Sequence, residues 1–370
     1  MTTTPAPARL PLEGIRVIEM CWVWSGPMMG QYLADLGAEV IKVEWYERYD
    51  LYRTRGVERL RHAVPEDVRR EMSFSFHSLN RGKLGFAADL KDEASMDVFK
   101  QLLARSDLLI ENFTLGTLER LGLGPEVLRA INDRLVVVSL SASGQGSGLE
   151  KLRAYGLVLS ALGGAETEFV DADGQFVGSP SFVVSDPNAA AFGAFAAAAG
   201  LLHARRSGRG AHLEGSQIEA MTTLMTADRS MSEPRSEHVV LATLDGHVAV
   251  SLPRGVDVFG GDDPAVVAGT RSSDELVHLV CDAGGSAAPV RNLADNELAP
   301  EYVDADVRVP TLHPVTGAET VVAAPWRMSG ERPVVRKPAP QLGESNGYVL
   351  RRVLGLSEDD IAALDQTGSS

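Results

Sequence analysis

Asp186 is the residue of this chain most clearly placed for chemistry. It follows a short apolar run, Phe182–Val184, which has the composition of a buried strand. Pro187 and a segment of mainly Ala, Gly, Phe and Leu come next and end in Arg205 and Arg206, which predicts a helix buried on most of its faces. Asp186 is then either a helix cap, worth about 1 kcal/mol, or a positioned nucleophile or base.

Thiol and basic side chains supply further candidates. Cys21 follows a predicted strand and is either a nucleophile or a buried, inert thiol. The glycine-rich loop Ser141–Lys151 is either a phosphate cradle or a flexible turn, and it lacks the GK[ST] ending of a P-loop. Four cations near predicted strand ends are either surface charges or a patch for a phosphorylated ligand: Lys83, Lys91, Arg120 and Arg153.

Composition narrows the class of protein. The net charge of −15 argues against nucleic acid or an anionic membrane as a partner. The two cysteines, Cys21 and Cys281, offer no disulfide framework and suit a reducing compartment. The first fourteen residues have no signal-peptide pattern, so we expect a cytoplasmic protein. The eight histidines show no metal-ligand spacing and there is no GxSxG elbow, so we expect neither a metal site nor a hydrolase triad.

The elements that must position these residues alternate between strand and helix. Strand-like Ile15–Met20, a helix over Pro27–Leu36 and strand-like Ala38–Glu44 form a βαβ unit without a GxGxxG fingerprint. Trp45–Arg70 is polar and irregular, and we expect it to cross the surface. The apolar run Leu135–Leu140 continues the alternation, which predicts an α/β fold with a doubly wound, mostly parallel, Rossmann-like sheet. Antiparallel patterns after residue 225 predict a smaller α+β domain over 226–329, with the large domain, 1–225, re-entered by 330–370.

Several motifs in a fixed order carry a resemblance. The motifs are LPLEGIRVIEM, SGPMMGQYLADLGAEVIKVE, LNRGK, IENF, LERLGL, the Asp186 stretch with RRSGRGAHLEGSQIEA, and a C-terminal PAPQLGESNG. Together they resemble the class III CoA-transferase family, which includes formyl-CoA transferase and has alpha-methylacyl-CoA racemase as a relative. The resemblance covers the chain except roughly 234–310 and implies interlocked dimers.

The resemblance also implies roles for individual residues. Asp186 matches a nucleophile that takes an acyl group from CoA as a mixed anhydride and then carries CoA as an aspartyl thioester. Tyr155 matches a tyrosine near that site, and its alternative role is a core tyrosine held by one hydrogen bond. The positions that match the coenzyme A site are Trp24, Ser25, Trp45, Asp89, Lys91, Asn112, Phe113, Arg120 and Arg153.

Departures from the family pattern bear on the substrate. Trp45 stands where formyl-CoA transferase has an arginine, and Trp24 replaces a glutamine beside the reacting thioester. The glycine-rich substrate loop is missing after Arg235 and the small domain is abbreviated. These departures argue against formyl-CoA and oxalate, and we expect Trp22, Trp24 and Trp45 to enclose a bulky or aromatic acyl group.

Three functions remain open at this stage. The first is a CoA-transferase that acts on an acyl-CoA and a small carboxylic acid, as a homodimer or with a homologous second chain. The second is a 2-methylacyl-CoA racemase, which needs a histidine near Tyr155; Ala154 and Gly156 flank that position instead. The third is a non-catalytic family subunit that pairs with an active homologue.

Overall fold

The fold is built from short strands and helices in regular alternation. The computed structural model describes residues 10–169, 175–178, 184–225 and 236–366. The predicted strand Phe182–Val184 therefore falls largely outside the described residues. The strands are β1 Arg16–Met20, β2 Glu39–Glu44, β3 Leu84–Ala87, β4 Leu108–Glu111, β5 Val136–Ser141, β6 His212–Ser216, β7 Ser236–Ala242, β8 His247–Pro253, β9 Ser286–Pro289, β10 Arg308–His313 and β11 Gly317–Val322.

Helices connect the strands and cover the sheet. They are α1 Ser25–Asp35, α2 Glu66–Arg69, α3 Phe74–Asn80, α4 Glu93–Ala104, α5 Thr117–Arg120, α6 Pro125–Ile131, α7 Gly156–Leu162, α8 Ser185–Ser207, α9 Gln217–Thr222, α10 Pro264–Gly269, α11 Ser273–Asp282, α12 Leu293–Leu298, α13 Pro300–Val303, α14 Asn346–Tyr348 and α15 Glu358–Gln366. No helix of the described residues is long and apolar enough to cross a membrane.

A six-stranded parallel sheet forms the centre of the larger unit. Its order is β3-β2-β1-β4-β5-β6, and Val17 of β1 lies opposite Val40 of β2 and Leu108 of β4. The strand order reverses between β1 and β4, where ligands bind beyond the carboxyl ends of the strands in open α/β sheets. The predicted doubly wound α/β fold is confirmed, and the expected edge for a site lies after Met20 and Glu111.

The two faces of the sheet carry separate apolar cores. Ile18 faces one core together with Phe99 of α4, whereas its neighbour Val17 faces the other together with Met29 of α1 and Ala190 of α8. This follows from the two-residue period of a strand. Both faces are covered, which is why the strands read as continuous apolar runs.

Helix α8 packs tightly on one side and is open on the other. A Cβ added to Gly193 would lie 2.6 Å from Sδ of Met29, and one added to Gly200 would lie 2.6 Å from Cγ1 of Val136. On its outer face Phe192, Phe195 and Leu202 are exposed, Phe195 by 74%. The prediction that this helix is buried on most faces is therefore wrong for the single chain, because apolar composition does not tell which neighbour covers a face.

The chain divides into two compact units, Met1–Met225 with Arg308–Ser370, and Thr226–Val307. The smaller unit holds the antiparallel sheet β7-β8-β9 with helices α10 to α13, which confirms the expected second α+β fold. The antiparallel hairpin β10-β11, which the sequence pattern groups with the small domain, belongs to the larger unit. His313 stacks on His77 of α3 at 4.0 Å, and Glu319 lies 2.8 Å from His77 Nδ1.

Candidate active site

Asp186 lies in the first turn of α8 and does not cap it. The N-cap is Val184, and no side chain of the described residues caps this helix. The backbone N–H and the hydroxyl of Ser25 instead lie beside the half-buried Asp186 carboxylate and stabilise its anion. Burial raises the pKa of Asp186, and the two Ser25 hydrogen bonds oppose this by stabilising the anion. The geometry therefore favours the positioned carboxylate over the cap.

The loop that presents Ser25 runs from the end of β1 to the start of α1. Trp24 is the N-cap of α1, and Ser25 is its first residue. At Gly26 an added Cβ would lie 2.6 Å from Cβ of Cys21 and 2.7 Å from Cγ of Asn112. Only glycine allows α1 to begin this close to the strand ends, so the residue that follows Ser25 fixes where its donors point.

A cleft of about 790 Å³ opens beside Asp186 at the predicted edge of the sheet. All of the residues that the family resemblance assigns to the site line it: Trp24, Ser25, Trp45, Asp89, Lys91, Asn112, Phe113, Arg120, Arg153, Tyr155 and Asp186. Tyr155 is 66% exposed, which excludes the alternative of a core tyrosine. The cleft also includes Arg48 and Gln217, which no motif of the sequence singles out. The roles of these residues stay predictions.

Aromatic rings and cations share the walls of the cleft. Trp22 and Phe113 meet edge to face with their ring centroids 5.5 Å apart. The Arg48 guanidinium lies over the Trp22 ring, 5.8 Å from its centroid. Arg120 is held by hydrogen bonds from its guanidinium to Thr117 Oγ1, at 2.6 Å, and to a backbone carbonyl. An aromatic wall beside fixed cations suits a ligand that has both planar and anionic parts.

Lys83 does not join the cations of the cleft. Its side chain is fully buried, and Nζ donates to Glu19, to Asn80 and to the carbonyl of Pro27. Burial lowers the pKa of Lys83 to about 8, against the opposing effect of Glu19. The suggestion that Lys83 contributes to a ligand patch is therefore wrong, because a strand-end position in sequence does not tell which way a side chain turns.

Segment 45–70 is more than a surface excursion. Asp50 and Arg53 are fully buried, and Tyr52 is nearly so. Arg53 donates to Glu44 at 2.8 Å and to Glu71 at 2.7 Å, and it lies over the ring of Phe76. The expectation of a surface segment is wrong at these residues: their charges are neutralised in pairs, which is the condition under which charged groups are buried.

The contacts of Cys21 and of the glycine-rich loop bear on their predicted roles. Cys21 is fully buried, and burial raises the pKa of its thiol, so it is the inert thiol and not a nucleophile. In the glycine-rich loop the N–H of Gly144 donates to Ser141 Oγ and that of Gly146 to Glu150, so these two donors already have partners. Among the described residues no group of three or more His, Cys, Asp or Glu side chains could hold a metal ion.

Comparisons with known proteins place the chain among CoA-transferases. The model of CoA-transferase family III matches residues 12–252 and 265–346. An acetyl-CoA:oxalate CoA-transferase from Acetobacter aceti is 36% identical over 288 residues, which cover 77% of this chain and 69% of the relative. A succinate–glutarate CoA-transferase from Agrobacterium fabrum is 33% identical over 60% of this chain, and the match spans only 54% of that protein's length.

A solved structure agrees with the fold. The crystal structure of a hypothetical protein (Rv3272) from Mycobacterium tuberculosis superposes with a TM-score of 0.74 at 25% identity, and it covers 92% of this chain and 99% of its own.

Proposed function

Because the chain belongs to CoA-transferase family III, we propose that it moves CoA between an acyl-CoA and a small carboxylic acid, with Asp186 as the nucleophile. The observation that carries the proposal is the Asp186 carboxylate itself. It is half-buried, it lies beside the N–H and hydroxyl of Ser25, which lower its pKa, and it forms part of the wall of the 790 Å³ cleft. Partial desolvation makes a carboxylate a better nucleophile than it is in water.

The chemistry proceeds by two acyl exchanges on Asp186. One carboxylate oxygen attacks the thioester carbonyl, the C–S bond breaks, and CoA leaves as the thiolate from a mixed anhydride. The thiolate then attacks the Asp186 acyl carbon, and the donor acid departs with the electron pair of the C–O bond, which leaves an aspartyl-CoA thioester. The acceptor carboxylate reverses these two steps, so a new acyl-CoA leaves and Asp186 is regenerated.

Ser25 is the group that stabilises charge during this exchange. Attack at the Asp186 acyl carbon places negative charge on an Asp186 oxygen, and the Ser25 N–H and hydroxyl are already directed at that carboxylate. Such preorganised donors lower the barrier because they need no reorientation during the reaction. Asn112 Nδ2 lies 3.5 Å from Ser25 Oγ, which leaves the Ser25 proton free to point towards Asp186.

The remaining cleft residues fit the two ends of an acyl-CoA. Lys91, Arg120 and Arg153 supply cations for the phosphates of CoA within an otherwise acidic protein. Trp22 and Trp24 supply apolar surface for the acyl group, so we assign a bulky or aromatic acid as substrate.

A substrate series tests that assignment. We expect a higher kcat/KM for aromatic and branched acids than for formate or oxalate. The Trp24→Gln variant should reduce this preference, because it restores the residue of formyl-CoA transferase and opens the pocket. A wild-type enzyme that prefers formate or oxalate contradicts the substrate assignment but leaves the transfer chemistry intact.

The outer face of α8 supports a homodimer. Phe192, Phe195 and Leu202 expose a row of apolar side chains, and such surfaces mark contact sites. Analytical ultracentrifugation of the purified chain should give twice the monomer mass, and Phe195→Asp should shift it towards the monomer. A chain that stays monomeric alone and pairs only with a homologue would instead support a heteromer.

Trapping tests the transfer reaction directly. After incubation with an acyl-CoA, hydroxylamine or borohydride should leave a modification at Asp186 that mass spectrometry locates. Asp186→Asn, which keeps the shape of the side chain, should leave none. Solvent deuterium at the α-carbon without an adduct would support racemisation, although no histidine of the described residues lines the cleft. If a broad set of acyl-CoA donors gives neither an adduct nor deuterium at the α-carbon, the result would point to a non-catalytic subunit.

A further inference from the structure

The loop between β1 and α1 contains a strained residue next to the site. Val23 has a φ of 73°, which places a β-branched residue in the left-handed region that favours glycine. It directly precedes Trp24, the N-cap of α1, and stands two residues before Ser25. Conformations of this kind persist only where the surroundings enforce them, and they concentrate at functional sites.

Asp50 supplies the contact that enforces this conformation. Its Oδ1 accepts the N–H of Val23 at 2.9 Å and the N–H of Tyr52 at 3.0 Å. Its Oδ2 lies 3.1 Å from Nζ of Lys42, and both side chains of this ion pair are fully buried. A buried carboxylate that is fixed on one side by an ammonium cannot move away from the Val23 amide without losing that partner.

Neighbouring side chains hold the residues before Val23. Lys42 Nζ donates to the carbonyl of Cys21 at 2.6 Å. The Asn112 amide accepts the N–H of Trp22 at 2.9 Å and donates to its carbonyl at 2.8 Å. The side chains of Asp50, Lys42 and Asn112 thus hydrogen-bond to the backbone of the three consecutive residues 21–23. Asn112, which the resemblance assigns to the coenzyme A site, uses its side-chain amide to hydrogen-bond to the loop.

We propose that Asp50 is a positioning residue, which keeps Val23 in its left-handed conformation so that the two donors of Ser25 meet the Asp186 carboxylate. The inference rests on the proposed role of Asp186 as nucleophile. Without Asp50, Val23 relaxes to negative φ, the start of α1 turns, and Ser25 no longer reaches Asp186. Asp50 touches neither substrate nor the reacting atoms and acts only through the loop.

The test follows the rate at which the Asp186 adduct forms at saturating acyl-CoA. Asp50→Ala should lower this rate by about 10²-fold, the loss expected when an oxyanion donor is displaced. Asp50→Asn, which keeps one acceptor for the Val23 amide, should lose less. The acyl-CoA concentration that gives half the maximal rate should stay close to wild type in both variants, because the cations of the cleft are untouched.

Two comparisons separate positioning from general destabilisation. Glycine adopts a φ of 73° without strain, so in a Val23→Gly background the loss caused by Asp50→Ala should shrink by about tenfold. Glu71→Gln disturbs the same buried charges through Arg53 without touching the loop, so it should lower the melting temperature and leave the rate of the folded enzyme unchanged.

The inference is overturned if Asp50→Ala lowers the adduct rate equally in the valine and glycine backgrounds. It is also overturned if the adduct rate of Asp50→Ala falls only in proportion to the folded fraction. A wild-type enzyme that forms no adduct contradicts the proposed function instead. In that case crystal structures of the wild type and of Asp50→Ala decide the inference. Val23 should leave the left-handed region in Asp50→Ala, and a Val23 φ that is unchanged in this variant refutes the inference.

Discussion

Replacing Ser25 by alanine isolates the hydroxyl that donates to Asp186. The backbone N–H of residue 25 remains, so the substitution removes one of two donors to this carboxylate. Loss of a single oxyanion donor costs about 10²–10³ in kcat in other enzymes. Asp186 is only half-buried and water can replace part of the lost bond, so we expect about 10- to 100-fold here.

The pH profile makes this prediction specific. Burial already raises the pKa of Asp186, and the Ser25 hydrogen bonds hold it down. As the proposed nucleophile, Asp186 must be ionised, so activity should fall as the pH falls through this pKa, and removing a donor to the anion should move the acid limb of kcat/KM to higher pH. The assay is kcat/KM against pH for wild type and Ser25→Ala.

Ser160→Ala is the matched control. Ser160 is a serine of α7 with a buried hydroxyl that has no hydrogen-bond partner among the described residues. Its removal should leave both the rate and the profile unchanged. An acid limb that stays in place in Ser25→Ala, or moves to lower pH, would refute the reasoning that Ser25 stabilises the Asp186 anion.

Three further predictions concern packing, ligand binding and acid stability. Gly26→Ala should lower the free energy of unfolding by about 1–3 kcal/mol in urea titrations, since the new Cβ would lie 2.6 Å from that of Cys21; an unchanged midpoint contradicts this. Arg153→Ala should raise the KM for acyl-CoA and weaken its salt dependence with little change in kcat, and a fall in kcat alone would exclude a role in binding. Burial raises the pKa of Glu44, but Arg53 outweighs this and lowers it to about 2, so Glu44 binds fewer protons in the folded than in the unfolded state. Its contribution to the free energy of unfolding is about 3 kcal/mol, from the shift below 4.5. This contribution is complete above pH 4.5 and is lost as the pH falls towards 2. Glu44→Gln should therefore flatten the loss of stability between pH 5 and 3, and equal slopes would contradict it.

The fold could be predicted from sequence wherever periodicity is strong. The predicted bounds of β1, β2 and β5 lie within one residue of the observed ones at each end, and the alternation of these strands with helices indicates the parallel sheet. The family resemblance was confirmed by the match over 12–252 and 265–346. The outer face of α8 could not be predicted, because a row of Ala and Phe reads the same whether another chain covers it or not.

The site residues could be named from motifs, but their contacts could not. Motif positions assign Ser25 and Asp186 to one cleft, whereas nothing in the pattern indicates that Ser25 stabilises the Asp186 anion. Asp50 and Arg53 lie in a polar, irregular stretch that reads as solvent-exposed. They are buried because each meets an opposite charge on β2, and pairing between separate elements leaves no periodic signal in the sequence.

The first turns of α1 and α8 lie close together, and this proximity links Ser25, Asp186 and Val23. Ser25 begins α1 and Asp186 lies in the first turn of α8, and the two helices pack through the contact between Gly193 and Met29. The separation of donor and carboxylate is thus set by close packing in the core, while the orientation of the donor is set by the strained Val23 beside it. A change in either should alter the Asp186 environment, so variants of Gly193, and variants of Val23 other than Val23→Gly, should affect the rate of adduct formation more than the affinity for acyl-CoA.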